Sequence, residues 1–283
     1  MEIKKVGVVG CGQMGGGIAQ ICAQAGYAVV VSEVNAGLLQ KGLSAIEASL
    51  QKVVQRGKIT PQEKDAVLTR IRGTVDTKDF NGCDIVIEAA IEELELKKQI
   101  FRGLDKACPA QTILATNTSC LSVTDMANVT GRPDQVLGTH FFNPVPAMKL
   151  LEIITTAATS EATLKAAKAF GQSLGKTLVI VRDSPGFIVN RLVVPQILNA
   201  IRLAESGIAS KEDIDTAMTL GLNYPMGPLA LADLIGLDTV LLIANGIYNV
   251  LKDEQYATPE LLKQMVAEKK LGRKTGRGFY EYK

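Results

Sequence analysis

The run "KKVGVVGCGQMGGGIAQICAQAG", residues 4–26, constrains this chain more than any other stretch. A β-branched segment leads into Gly10-Cys11-Gly12-Gln13-Met14-Gly15, and a helical pattern follows to Gly26. A lone G-x-G-x-x-G is a weak signal, but one set between a strand and a helix has a defined physical job. Gly10 permits the tight turn, Gly12 lets a pyrophosphate approach the backbone, and Gly15 lets helix and strand pack closely. Backbone amides at the helix start, among them those of Gln13 and Met14, then face the phosphates. The unit expected is βαβ, and the ligand expected is a dinucleotide.

An acid at the end of the second strand tests that expectation, and Glu33 in "VVVSEV" occupies the position. Its carboxylate can accept hydrogen bonds from the ribose hydroxyls of NAD and would repel the 2′-phosphate of NADP. No arginine follows immediately to receive that phosphate. NAD is therefore favoured and NADP is the lesser possibility, since neighbours outside this motif also set the choice. A flavin dinucleotide, or a purely structural turn with a chance acid, would read the same way on this motif alone.

The rest of the first half alternates short β-rich runs with helical stretches. Strands are expected at "CDIVIEA", "TILATN", "QVLGTHF", "KLLEIITT" and "KTLVIV". Helices are expected from about Ala36 to Arg56, over "TPQEKDAVLTRI", and at "EELELKKQIFRGLDKA" and "SEATLKAAKAFGQSLG". Thr60 and Pro61 supply the cap and first-turn proline of the second of these. This alternation describes an α/β Rossmann-type domain with a mostly parallel, doubly wound sheet. After "RDSPG" the pattern turns helical with no convincing strand, so an all-α domain is expected over residues 185–283, following a nucleotide-binding domain over 1–184.

Charge and cysteine usage narrow the function classes. A net charge of +2 with dispersed Lys and Arg argues against nucleic acid or a membrane surface as the main partner. Five cysteines without C-x-x-C spacing suit a reducing cytoplasm and give neither a disulfide framework nor a zinc site. The N-terminal apolar run is too short for a signal peptide. In "LALADLIGLDTVLLIANG" Asp233 and Asp238 interrupt what would otherwise approach a membrane span.

His140 is the only histidine, and Glu152 sits in an otherwise apolar run twelve positions later. With "NPVPA" between two expected strands, a reversal near Pro146 would set the two side by side. A carboxylate beside an imidazole fixes the tautomer and stabilises the imidazolium, which suits the ring to taking and returning a hydroxyl proton. The spacing alone fits equally a satisfied core histidine and an edge-strand glutamate facing solvent. A single histidine also leaves no His-rich metal site, and no metal is expected.

The motifs "GCGQMGGGIAQ", "IEAAIEELELKKQIF", "ATNTSCLSV", "GTHFFNPVPAMKLLEI", "DSPGFIVNRL", "SKEDIDTAM", "GLNYPMGPLALAD" and "RKTGRGFYEY" occur in this order nearly end to end. On them the chain resembles the L-3-hydroxyacyl-CoA dehydrogenase family, and within it the short, stand-alone bacterial 3-hydroxybutyryl-CoA dehydrogenases. The resemblance implies NAD(H)-dependent interconversion of (S)-3-hydroxybutanoyl-CoA and acetoacetyl-CoA. It implies an acyl-CoA partner, a cleft between the domains for the acyl chain, and a homodimer formed through the helical domain.

It also implies roles for residues. His140 and Glu152 match the catalytic pair. Ser119 matches the serine between nicotinamide and substrate, and Asn143 and Asn190 match the amides that support the histidine and the reacting carbonyl. Glu33, Glu92, Lys97 and Lys274 match cofactor contacts. Ser49 and Arg56, with Lys52 on the same helix, match positions that meet the CoA moiety, although Lys52, Arg56 and Lys58 would equally make an ordinary solvated face. Three positions depart from the family's habit: Glu33 where Asp is commoner, Arg56 for Lys, and Cys120 for a serine. The competing readings are a related reductase acting on a longer 3-oxoacyl-CoA or a non-CoA 3-hydroxy acid, and a non-catalytic nucleotide-binding protein.

Overall fold

A computed structural model describes residues 2–282. The described residues form two compact units, divided between Asp183 and Ser184.

The first unit opens with β1 (Lys5–Val9), α1 (Gln13–Gln24) and β2 (Ala28–Ser32), the βαβ unit around the glycine turn. A long helix α2 (Ala36–Gln55), capped by the Asn35 side chain, and α3 (Pro61–Thr69) follow. In α3 the Thr60 hydroxyl accepts from the Glu63 amide while the Glu63 carboxylate accepts from the Thr60 amide, a reciprocal capping box. The chain then runs through β3 (Ile71–Thr74), β4 (Ile85–Glu88), α4 (Leu94–Ala107), β5 (Ile113–Thr116) and α5 (Val123–Ala127). It closes with β6 (Val136–Phe141), β7 (Leu150–Thr155), α6 (Glu161–Ser173) and β8 (Thr177–Arg182).

Eight strands form one sheet in the order β3-β2-β1-β4-β5-β6-β7-β8. The strands from β3 to β6 are parallel, β7 runs antiparallel to β6, and β8 is parallel to β7. Strand order reverses between β1 and β4, so the carboxyl ends of these strands flank a crevice at the switch point of a doubly wound sheet. Val6, Val8, Val29, Val31, Ile85, Ile87, Ile113 and Leu137 are buried along the strands, with Ile18, Ala19 and Cys22 of α1 against them.

Two local differences from expectation are informative. The helix expected over "TPQEKDAVLTRI" stops at Thr69, and Ile71 begins β3. This strand, "IRGT", lacks alternation and carries an arginine and a glycine; pairing with β2 recruits it, not local preference. The reversal between β6 and β7 pairs His140 with Glu152 directly across the ladder.

The second unit is helical: α7 (Val189–Glu205), α8 (Lys211–Gly221), α9 (Pro228–Ile235), α10 (Leu237–Leu251) and α11 (Glu260–Ala267). Two buried aspartates organise it. Asp215 accepts from the Leu229 and Ala230 amides at the start of α9 and from the Tyr280 hydroxyl. Asp233 accepts from the Phe279 and Tyr280 amides and from the Tyr282 hydroxyl, so it pins the C-terminal tail. The chain bends by 96° between α9 and α10, and among the described residues no single helix is long and apolar enough to cross a membrane.

Candidate active site

The glycine turn follows β1 directly. Gly10 has φ +92°, a region open to glycine, and a Cβ there would lie 2.8 Å from the Ala89 carbonyl oxygen. A Cβ on Gly15 would strike the Gly10 carbonyl oxygen, so only glycine lets α1 start this close to the turn. Gly12 is the opposite case: no atom lies within 4 Å of its Cβ position, which leaves its backbone open to a large ligand. Such an open backbone at a helix start fits a dinucleotide pyrophosphate.

Glu33 stands just past β2 and faces this turn. Its Oε1 accepts from the Cys11 amide at 2.8 Å and its Oε2 from the Val34 amide at 3.0 Å. The acid is therefore anchored beside the turn by two backbone amides, with lone pairs left for ribose hydroxyls. Gln13, at the start of α1, donates from Nε2 to Asn143 Oδ1 at 3.1 Å. The cofactor turn is thereby tied to the loop between β6 and β7. Gly17 of α1 meets the same loop, since a Cβ there would come within 2.9 Å of Val145 Cβ.

At the carboxyl end of β6, His140 Nδ1 lies 2.7 Å from Glu152 Oε2. The histidine is 4% exposed and the glutamate fully buried, and the Phe142 ring packs on the imidazole with centroids 4.5 Å apart. With Nδ1 engaged by a carboxylate, the ring's orientation and the tautomer are set from that side. Because β7 is antiparallel, its beginning and the end of β6 lie on one edge of the sheet, the edge that carries the glycine turn.

Two residues the motif reading passed over hold this edge together. Asn117, after β5, accepts on Oδ1 from the Phe141 amide at 3.0 Å and so couples that strand end to β6. Lys176, nearly buried, donates from Nζ to the Val145 and Met148 carbonyl oxygens at 2.6 Å each, closing the proline-containing loop from behind. Burial lowers the pKa of this lysine. Asn117 lies within the "ATNTSCLSV" motif and Lys176 in no motif, and in neither case does local sequence show the distant backbone group it meets.

Ser119 lies half-buried in the segment after β5, and its amide donates to Glu92 Oε1 at 2.8 Å. Lys97 is placed inside the protein, 1% exposed, with its ammonium between Glu88 and Glu92. Its ammonium also donates to the Ala90 carbonyl oxygen at 3.3 Å. Ser49, Lys52 and Arg56 lie along one side of the end of α2, Ser49 half-buried and the two cations exposed. Asn190 and Lys274 belong to the second unit: Asn190 is nearly buried in the first turn of α7, and the half-exposed Lys274 pairs with Asp238. Cys120 is buried, and its thiol is pushed up to about 12 by burial and by Glu92.

A doubly wound sheet with an open phosphate-binding turn, and an imidazole–carboxylate couple on the same edge, defines an NAD-dependent dehydrogenase. Comparison with known proteins makes the class specific. Residues 5–184 match the 3-hydroxyacyl-CoA dehydrogenase NAD binding domain and residues 186–282 match the C-terminal domain of the same enzymes. The chain belongs to the 3-hydroxyacyl-CoA dehydrogenase family.

It is 46% identical over 278 residues to 3-hydroxybutyryl-CoA dehydrogenase of Clostridioides difficile, covering 98% of this chain and 99% of that one. The crystal structure of M. tuberculosis FadB2 superposes with a TM-score of 0.98 at 44% identity, over 100% of both chains. That of (S)-3-hydroxybutyryl-CoA dehydrogenase PaaH1 from Ralstonia eutropha gives 0.94 at 45%, again over 100% of both.

Proposed function

We propose that this enzyme interconverts (S)-3-hydroxybutanoyl-CoA and acetoacetyl-CoA, with His140 as acid and base. The observation that carries the reading is the buried 2.7 Å contact between His140 Nδ1 and Glu152, on the sheet edge that holds the glycine turn. Bound NAD supplies the hydride acceptor in oxidation, and the reduced form supplies the donor in the reverse direction. Gly10, Gly12, Gln13, Met14, Gly15, Glu33 and Glu92 would hold it, with Ser119, Asn143 and Lys274 completing the site and Lys97 acting from behind Glu92.

In oxidation His140 Nε2 takes the C3 hydroxyl proton, and Glu152 compensates the charge that arrives on the ring. In reduction the protonated ring polarises the ketone and returns the proton. Ser119, Asn143 and Asn190 orient the reacting oxygen, and a group held in register contributes most when charge develops on that oxygen. Ser49, Lys52 and Arg56 meet the CoA phosphates; their support is a shared helix side with two exposed cations. The domain limits are proposed as 1–184 and 185–283. A homodimer through the second unit is proposed from the family resemblance. Free, buried cysteines favour the cytoplasm.

Acetoacetyl-CoA mixed with enzyme should consume NADH, and NADPH should be a markedly poorer donor. His140→Gln should lower turnover by about 10²–10⁴-fold, the usual value of a positioned acid–base group. NADH binding, read by fluorescence, should survive that change. Absence of turnover with any 3-oxoacyl-CoA would sink the proposal.

A further inference from the structure

The sequence "IVIEAAIEELELKKQIF" carries Glu88 at the end of β4, Glu92 in the following segment and Lys97 in the first turns of α4. Folding brings the three carboxylate and ammonium groups together. Lys97 Nζ lies 2.6 Å from Glu88 Oε1, 3.3 Å from Glu92 Oε2 and 3.3 Å from the Ala90 carbonyl oxygen. Glu88 is fully buried and also accepts from the Ala90 amide and the Thr116 hydroxyl, each at 2.7 Å.

Glu92 has a second task. Its Oε1 accepts from the Thr118 hydroxyl at 2.5 Å and from the Ser119 amide at 2.8 Å. One carboxylate thus faces a buried cation on one oxygen and the loop that carries Ser119 on the other. A buried ammonium left without its partner is strongly driven to whatever anion remains in reach. Here the remaining anion is Glu92.

We propose that Glu88 is a positioning residue: by holding Lys97 it keeps Glu92 free to cap the loop that presents Ser119 to the reacting groups. It touches neither substrate nor cofactor and acts through Lys97 and Glu92. This rests on the reading of Ser119 as a residue that faces the reaction. Glu88 in effect sets how hard Lys97 pulls on Glu92.

The test compares Glu88→Gln, Lys97→Met and the double variant in the full-length enzyme. E88Q keeps its bulk and its acceptor for Thr116 but loses the charge that restrains Lys97. Its kcat for acetoacetyl-CoA reduction should fall by about 10- to 100-fold, the order expected from a misplacement of about an ångström at a reacting group. E88Q/K97M removes the competing cation as well and should recover at least about tenfold of kcat relative to E88Q, even if its melting temperature is lower. That opposite movement of rate and stability is what a merely structural role would not produce. Thr116→Val removes, without changing charge, the hydroxyl that donates to Glu88 and also accepts from the Thr118 amide; it should lower kcat in the same direction to a smaller extent, which covers failure of E88Q to fold.

An E88Q or T116V enzyme with unaltered kcat would overturn the proposal, as would a double variant no faster than E88Q. Ser119→Ala separates the two readings. If S119A is fully active, the reading of Ser119 is wrong; if S119A is impaired while E88Q is not, only the role of Glu88 is.

Discussion

Glu33 and Cys120 are single side chains near this site whose surroundings fix what they can do. Glu33 is proposed as the ribose acceptor, and both its oxygens also receive backbone amides, those of Cys11 and Val34. It therefore braces the turn whatever ligand binds there. Cys120 is a buried donor toward Glu92, its Sγ 3.8 Å from Oε1, with a thiol pKa pushed up to about 12. Cys11 is raised to about 11 by burial and by Glu33. Neither is a nucleophile at neutral pH, because the thiolate is the reactive form. Treatment with iodoacetamide at about pH 8 should leave both unlabelled by mass spectrometry and activity intact. Because folding raises these thiols above their ordinary value of 9.0, the unfolded chain gives up protons first as pH rises. Their contribution to stability is complete below about pH 9 and is lost as pH climbs from there toward the folded values, so the melting temperature should fall over that window.

At the scale of elements, the site is a product of strand ends. Parallel β1, β4, β5 and β6 deliver the glycine turn, Glu88, Asn117 and His140 to one edge, and the antiparallel β7 brings Glu152 back to it. A one-residue slip between β6 and β7 would turn Glu152 to the opposite face, so the buried pair depends on register. The junction of β1 and α1 is equally strict, since Gly15 has the Gly10 carbonyl where a Cβ would stand. Gly15→Ala must displace the start of α1 and its amides. NADH affinity, followed by fluorescence titration, should drop by about tenfold or more, a loss of about 1.4 kcal/mol. A G15A enzyme with native NADH affinity would show that the tight junction is not needed for binding.

At the scale of the whole molecule, each unit has its own internal fastening. In the second, the tail motif "RKTGRGFYEY" closes on Asp233, which accepts from two amides and one hydroxyl. A Cβ at Gly272 or Gly278 would overlap Asp233, so the tail glycines exist to let the chain pass that close. Burial and the Asp233 hydrogen bond push the Tyr282 hydroxyl up to about 12, so it donates throughout the physiological range. Asp233→Ala orphans two amides and should cost about 3 kcal/mol, within the range for emptying a buried hydrogen-bond cluster. Trypsin should then cut at Arg273, Lys274 or Arg277 faster than in the parent protein, as read by limited proteolysis.

The sequence by itself determined the βαβ start, the doubly wound class and the change to helix after "RDSPG", and it offered a spacing by which a reversal near Pro146 could pair His140 with Glu152. These rest on local chemistry: glycines that a turn requires, alternating apolar runs, a proline loop of fixed length between two strands. It overran α3 into β3, because a four-residue edge strand has no periodicity and forms only when β2 offers its hydrogen bonds. It named Lys97 and Glu92 without their geometry and passed over Glu88, Asn117, Lys176 and the role of Asp233. Those residues come from segments distant in the chain, and an apolar strand ending in glutamate looks the same whether its carboxylate meets water or a buried lysine. Only the tertiary structure decided that, since a charge is buried when a partner from elsewhere in the chain arrives to meet it.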